Sequence, residues 1–288
     1  MSSTIMLAKQ YNPKKLEFPV YVSRKLDGVA AEFKCSEDGV VTVRSRQDKP
    51  ILSVQHICDA LAEILEPGQG VVGELYIDGD FTFKDISGKV RQHEPAPELA
   101  LYIYDFFRDN YPAQMFVHRH IQIDKLMYDA GWRNMHPVYC VPHVLIRNQE
   151  ELDMYTTGFF IAHPEAEGMV IRTHQHLYEP GKRSWGMQKL KKRNTIDLKL
   201  VSIEEATDES GTGKGMAGRF NCEYKGTVVG VGPGKLTHDE RTIAFVNRES
   251  LVGSIVEVAY MPDAAYGALR EPTVIRLRSD KDEPNTED

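Results

Sequence analysis

The sequence predicts an α+β protein built in two parts, and three observations carry that expectation. Up to about residue 192, runs with strand alternation are interleaved with runs whose apolar residues recur at helical spacing. From about residue 194 the texture changes to short strands parted by Gly-bearing turns, with one helix among them. Single charged residues also stand inside or at the ends of apolar strands, as at Lys25, Glu74 and Glu167. Burying such a group without a ligand or partner is unfavourable.

Taken in order, Val20–Ser23, Val29–Cys35 and Val40–Arg44 read as strands, the last two joined by a Ser-Glu-Asp-Gly turn. Val54, Ile57, Leu61, Ile64 and Leu65 recur at helical spacing, with Ser53 as the expected N-cap. Met115–Ala130 and Glu150–Ala162 read as helices, and Gly168–Thr173 and Trp185–Lys192 as strands. A boundary is expected between residues 193 and 194. Beyond it, strands are expected at Ile196–Ile203, Arg219–Tyr224, Thr227–Val231, Ser254–Tyr260 and Thr273–Arg278. A helix begins among them at Thr237, where Glu240 completes a Thr-x-x-Glu capping box. Five short strands and one helix suit a small barrel. The end, Asp280–Asp288, is acidic and polar and is expected to fray.

A chain of 288 residues with 41% apolar residues is long enough for two packed cores. No apolar run approaches the eighteen residues of a spanning helix, so no membrane association is expected. The N-terminal MSSTIMLAKQYNPKK carries no apolar core followed by a small-residue cleavage site, so no secretory leader is expected. Cys35, Cys58, Cys140 and Cys222 are scattered without C-x-x-C spacing, which argues against a zinc site and fits a reducing cytoplasm. The net charge of −7 is not the signature of a protein held to DNA by bulk charge. Its distribution is uneven: residues 195–288 carry 11 Lys and Arg against 17 Asp and Glu. Lys182–Arg193, by contrast, holds six basic residues and no acidic one, a stripe fit to meet phosphates through Lys182, Arg183, Lys192 and Arg193.

The segment Ser23–Phe33, SRKLDGVAAEF, sets Lys25 at a strand exit just before a turn-permitting Asp27-Gly28. It is followed in order by VRSRQ (Val43–Gln47), VGELYIDG (Val72–Gly79), LYIYDFF (Leu101–Phe107), EGMVIR (Glu167–Arg172), MQKLKK (Met187–Lys192) and LREPTVIRLRSDK (Leu269–Lys281). This collinear set resembles the covalent nucleotidyltransferases, namely ATP-dependent DNA ligases, RNA ligases and mRNA capping enzymes. It is most similar to the small bacteriophage-like ATP-dependent DNA ligases, from Met6 to Lys281.

That resemblance implies an adenylation (nucleotidyltransferase) domain of mixed antiparallel sheets and helices over residues 1–193. An oligonucleotide-binding (OB) barrel over 194–288 would close over ATP and then over duplex. It implies ATP and Mg²⁺ as cofactors, with Mn²⁺ as a substitute, and a monomer acting on nicked double-stranded DNA in replication, repair or recombination. Lys25 would carry AMP, and Asp27 would orient the nick or its metal. Arg46 would reach the nucleotide, with Arg44 on the same strand face as the alternative. Glu74 would bind the ribose, Tyr104 would stack on adenine, and Glu167 would hold the catalytic magnesium. Lys189 and Lys191, which strand period puts on one face, would hold the α-phosphate, while Arg278 and Lys281 would grip the departing pyrophosphate. A free lysine has a pKa of about 10.4, so attack by Lys25 needs nearby positive charge to release its proton. The family pattern reads Lys-x-Asp-Gly-x-Arg, but position 30 is Ala. Either Arg44 or another residue takes the missing role, or sealing of some nicks is weakened. An RNA ligase or capping guanylyltransferase is the alternative within the superfamily. A non-catalytic DNA-binding module is the alternative outside it, and the presence of Lys25, Glu74, Glu167, Lys189 and Lys191 together counts against it.

Overall fold

Backbone proximity divides the chain into two units, Met1–Lys191 and Lys192–Asp288. The structure is a computed structural model and describes residues 5–109, 114–129, 131, 137–261, 269–281 and 283–284. Ala130, at the end of one expected helix, and residues 282 and 285–288 of the expected frayed end lie outside these.

The first unit is built on two five-stranded sheets. One runs in the order β1 (Leu7–Gln10), β10 (Arg183–Lys191), β9 (Gly168–Thr173), β2 (Val20–Lys25), β8 (Val144–Ile146). The other runs β4 (Val41–Ser45), β3 (Val29–Cys35), β5 (Gln69–Tyr76), β6 (Ala100–Arg108), β7 (Val138–Cys140). Alternation decides what each face of the second sheet meets. Ala31, Phe33 and Cys35 of β3 are buried. They join a core with Ile57 and Leu61 of α1 (Gln55–Ala62), Ile86 of α2 (Phe83–Arg91) and Ile123 of α3 (Phe116–Asp129). Beneath the first sheet, Val20, Val22, Met169 and Ile171 pack on Leu152 of α4 (Gln149–Ala162). A further apolar cluster, including Met6, Val72, Tyr104, Tyr178 and Met187, joins the two sheets.

The N-cap expected at Ser53 is not formed. The residue before α1 is Val54, which offers no capping oxygen, and the buried Ser53 hydroxyl donates instead to the Val90 carbonyl at 3.1 Å. A buried hydroxyl is best satisfied by the partner that packing brings, here the last turn of α2. That helix was not anticipated, although Thr82 and Asp85 form a capping box at its start.

The second unit is a five-stranded sheet in the order β13 (Thr227–Val231), β12 (Gly213–Tyr224), β11 (Asn194–Thr207), β14 (Ile255–Met261), β15 (Arg270–Arg278). Its two edges meet. Gly232, just after β13, donates to the Pro272 carbonyl at 3.0 Å and accepts from the Val274 amide at 2.9 Å. This closes the sheet into a barrel around Leu198, Leu200, Phe220, Cys222, Val256 and Val258. α5 (His238–Val246) starts from the anticipated Thr237–Glu240 capping box and is followed by the short α6 (Arg248–Leu251).

One glycine sets the spacing of the first sheet. Gly168 lies opposite both Lys25 of β2 and Lys191 of β10. A β-carbon there would sit 2.2 Å from the Leu190 carbonyl oxygen and 2.8 Å from the Lys191 Cα. Both are backbone atoms, so neither can rotate away. Gly168→Ala is therefore expected to push β9 from β10 and to lower stability by about 2 kcal/mol, read as a drop in denaturant midpoint at unchanged slope.

Candidate active site

Sheet register brings together residues separated by more than 140 positions. Because Lys25 and Lys191 face Gly168 from opposite sides, Glu167 lies between their ammonium groups. Its carboxylate bonds the Lys25 Nζ through Oε2 and lies 3.5 Å from the Lys191 Nζ through Oε1. Glu167 is almost fully buried, with its side chain 7% exposed. Lys189, opposite Val170, falls on the same strand face as Lys191. Burial lowers the Lys189 pKa from its ordinary value, and the charges of Lys191 and Lys25 lower it further. Three expected site lysines and the expected metal-binding glutamate thus form one cluster.

The second sheet contributes the opposite wall. At Gly28 the turn after Lys25 lies so close to β5 that a β-carbon would meet the Leu75 carbonyl at 2.3 Å and the Glu74 Cγ at 2.8 Å. That close approach draws Asp27 and Lys25 toward Glu74. Burial pushes the Glu74 carboxyl up to about 7; the Lys25 charge opposes the rise, and Glu167 and Asp27 add to it. Tyr104 stands at a bulge in β6. Asp105 pairs with Val72 and Ile103 with Gly73, leaving Tyr104 without a partner across the strand. Bulges re-aim side chains in this way. Burial raises the Tyr104 hydroxyl pKa well above its ordinary value, the Glu74 carboxylate raises it further, and the charges of Arg172 and Arg46 act against them.

A buried scaffold holds Tyr104 in place. Asp105 takes a two-pronged ion pair from Arg119 of α3, at 2.7 and 3.3 Å. Arg119 also donates to the His176 carbonyl at 3.0 Å, tying β6 and α3 to the loop after β9. The buried Arg172 guanidinium lies 4.9 Å from the Tyr104 ring centre. None of these partners was anticipated, because the pairing of Asp105 with Arg119 joins a strand to a helix with no local spacing rule.

The two candidate arginines separate clearly. Arg44 turns back onto Asp48, with its Nη1 3.0 Å from the backbone carbonyl and 3.3 Å from the carboxylate. Arg46 is exposed, makes no ion pair among the described residues, and lies close enough to act on Tyr104. Ala30 is opposite Glu74 in the β3–β5 register, so the departure from the family pattern falls inside the site.

The basic stripe is divided. Lys182 and Arg183 are exposed on the first unit, where Arg183 donates to the Ala8 carbonyl at 2.6 Å. Lys192 and Arg193 belong to the second, where Arg193 bonds the Thr273 hydroxyl and lies 3.9 Å from Glu271. Also in the second unit, Arg278 and Lys281 meet on the buried Asp197 carboxylate, Lys281 at 2.6 Å and Arg278 at 3.3 Å. Asp280 takes a two-pronged bond at 2.8 Å from the outer edge of Arg278.

Among the described residues, no group of three or more His, Cys, Asp or Glu is gathered closely enough to hold a metal by itself. Glu167 and Asp27 are nonetheless hard oxygen donors beside the lysine cluster. Magnesium characteristically uses one or two carboxylates together with substrate phosphates and water, and that donor set fits it.

The raised Glu74 value fixes a sign for stability. The folded pKa of about 7 stands above the ordinary 4.5, so ionisation opposes folding, and the deficit grows as pH rises through that interval. Glu74→Gln is expected to be nearly neutral at pH 4.5 and stabilising by up to about 3 kcal/mol at pH 8. Paired unfolding curves at the two pH values check this.

No curated protein is recognisably similar in sequence. Solved structures share the fold. One, named Pmar-Lig_Pre, superposes with a TM-score of 0.77 at 21% identity, over 96% of this chain and 68% of that one. The Chlorella virus DNA ligase-adenylate gives 0.55 at 23% identity, over 98% and 100%. The ATP-dependent DNA ligase of bacteriophage T7, in complex with ATP, gives 0.57 at 17% identity, over 96% and 98%. A profile of the ATP dependent DNA ligase domain matches residues 5–191, the whole of the first sheet pair and the cluster at Glu167. The chain belongs to the ATP-dependent DNA ligase family.

Proposed function

We propose that this ligase seals nicks in duplex DNA through AMP carried on Lys25, with Arg278 and Lys281 serving only the step that loads it. The observation that carries this reading is the Lys25–Glu167–Lys191 cluster, set beside Glu74, Tyr104 and Arg46. In the first step the Lys25 amine attacks the α-phosphorus of ATP. A phosphorus–nitrogen bond forms, the bond to the bridging oxygen breaks, and pyrophosphate leaves with that electron pair. The proton lost by the amine passes to water. AMP then moves to the 5′-phosphate of the nick, freeing Lys25. Finally the 3′-hydroxyl attacks that phosphate and AMP leaves.

Each residue has a part consistent with its surroundings. Tyr104 stacks on adenine, Glu74 takes a ribose hydroxyl, and Arg46 rather than Arg44 reaches the nucleotide. Lys189 and Lys191 hold the α-phosphate. Glu167 bonds the Lys25 Nζ, so a carboxylate that turned to a bound cation would leave Lys25 free to face the α-phosphate. Glu167 and Asp27 are the residues that would hold Mg²⁺, which neutralises triphosphate charge when bound. Lys182, Arg183, Lys192 and Arg193 contact the DNA backbone. The first unit is the adenylation domain and the second, with its closed five-stranded sheet, the OB domain.

Incubation with labelled ATP and magnesium followed by denaturing electrophoresis tests the covalent step. Lys25→Ala is expected to take no label while keeping its fold; AMP mapped to Lys189 or Lys191 instead would refute the assignment. Lys191→Ala is expected to slow labelling by about 2–4 kcal/mol of barrier, typical of removing one preorganised charge-stabilising group. Arg278→Ala and Lys281→Ala are expected to impair labelling yet spare sealing of a nick already carrying AMP, because pyrophosphate leaves only in the first step. Equal loss on both substrates would assign them to DNA binding.

A further inference from the structure

We propose that Asp197 is the positioning residue for Arg278 and Lys281 during enzyme adenylation, an inference that rests on those two cations taking the pyrophosphate. Asp197 lies on β11, opposite Glu257 of β14, which is in turn opposite Arg276 of β15. Two carboxylates directly across a strand pair repel, so this row requires cations between them. Arg276 bonds Glu257 at 2.7 Å, Arg278 lies between Asp197 at 3.3 Å and Glu257 at 3.7 Å, and Lys281 reaches Asp197 at 2.6 Å. Asp197 is the carboxylate that touches both Arg278 and Lys281 among the described residues, and it is 5% exposed.

The two cations differ in how the backbone holds them. Arg278 is the last residue of β15, whereas Lys281 lies beyond the strand and donates its amide to the Arg278 carbonyl at 3.3 Å. A lysine on four rotatable bonds loses much rotamer freedom when fixed, and here the fixing is done by a carboxylate that is itself buried in the barrel wall. Asp197 also cancels one positive charge near the anion, which opposes binding. Positioning outweighs that loss, because charge stabilisation of a leaving group depends on donors already in place.

The test compares Asp197→Asn and Asp197→Glu with wild type in three readings: enzyme–AMP formation against ATP concentration, sealing of a pre-adenylated nick, and thermal midpoint. Asp197→Asn is expected to slow enzyme–AMP formation at least tenfold, with sealing of the pre-adenylated nick within twofold of wild type. Asp197→Glu, which keeps the charge but displaces it, should recover part of the rate and remain at least threefold slow. Adding Asp197→Asn to Lys281→Ala should slow labelling less than it does alone. Wild-type or faster labelling by Asp197→Asn overturns the proposal, as does equal loss on the pre-adenylated nick. Should Asp197→Asn fail to fold, Asp197→Glu carries the test, and a wild-type rate from it is the overturning result. Arg278→Ala and Lys281→Ala measured beside them keep the two ideas apart. If both label normally, it is the pyrophosphate reading that fails.

Discussion

The contact between Gly168 and the Leu190 carbonyl governs the first unit. Strand neighbours normally leave room for a side chain at every position, but here β9 and β10 come together where only hydrogen fits. Lys25 and Lys191 inherit that spacing through the register of β2 and β10, and Glu167 falls between them because it precedes the glycine. The charge cluster is thus a by-product of backbone geometry. Loops that must order themselves on binding lose conformational entropy at that moment; residues at the ends of paired strands have already lost it in folding.

Electrostatic compensation follows different rules at different depths. Asp105 and Arg119 are both fully buried and satisfy each other with two parallel bonds, an arrangement that stays favourable only while both partners remain. Glu74 behaves differently: burial holds off its ionisation, the Lys25 charge opposes that rise, and two nearby carboxylates add to it. A shift of this kind, only partly offset by Lys25 in the free protein, is common at functional sites.

Patterns that depend on near neighbours were legible in the sequence. Strands β9 and β13 coincide with the expected Gly168–Thr173 and Thr227–Val231, and the Thr237–Glu240 box caps α5 as expected. Other ends move by a few residues, as where β10 spans Arg183–Lys191 in place of Trp185–Lys192. What depends on pairing was hidden. Ser53 reads as a cap that would accept from the helix, but its hydroxyl instead donates to the Val90 carbonyl. The three-residue β7 and β8 are too short to show a period. Lys25, Glu74, Glu167, Lys189 and Lys191 stand out as charges in apolar strands, but no local spacing shows which side chain pairs with Arg119 in the first unit or with Asp197 in the second. Each acquires its partner only through tertiary contact.

The edge strand β1 has a consequence for how the chain assembles. Leu7–Gln10 lies parallel to β10, so its partners are some 175 residues further along. Parallel pairing over such a span forms late, since the loop must close before any contact rewards it. On a ribosome, β1 has no partner until residues 183–189 of β10 emerge. Through that interval β1 waits, and the sheet bearing Lys25 and Glu167 is completed only when its edge strand docks.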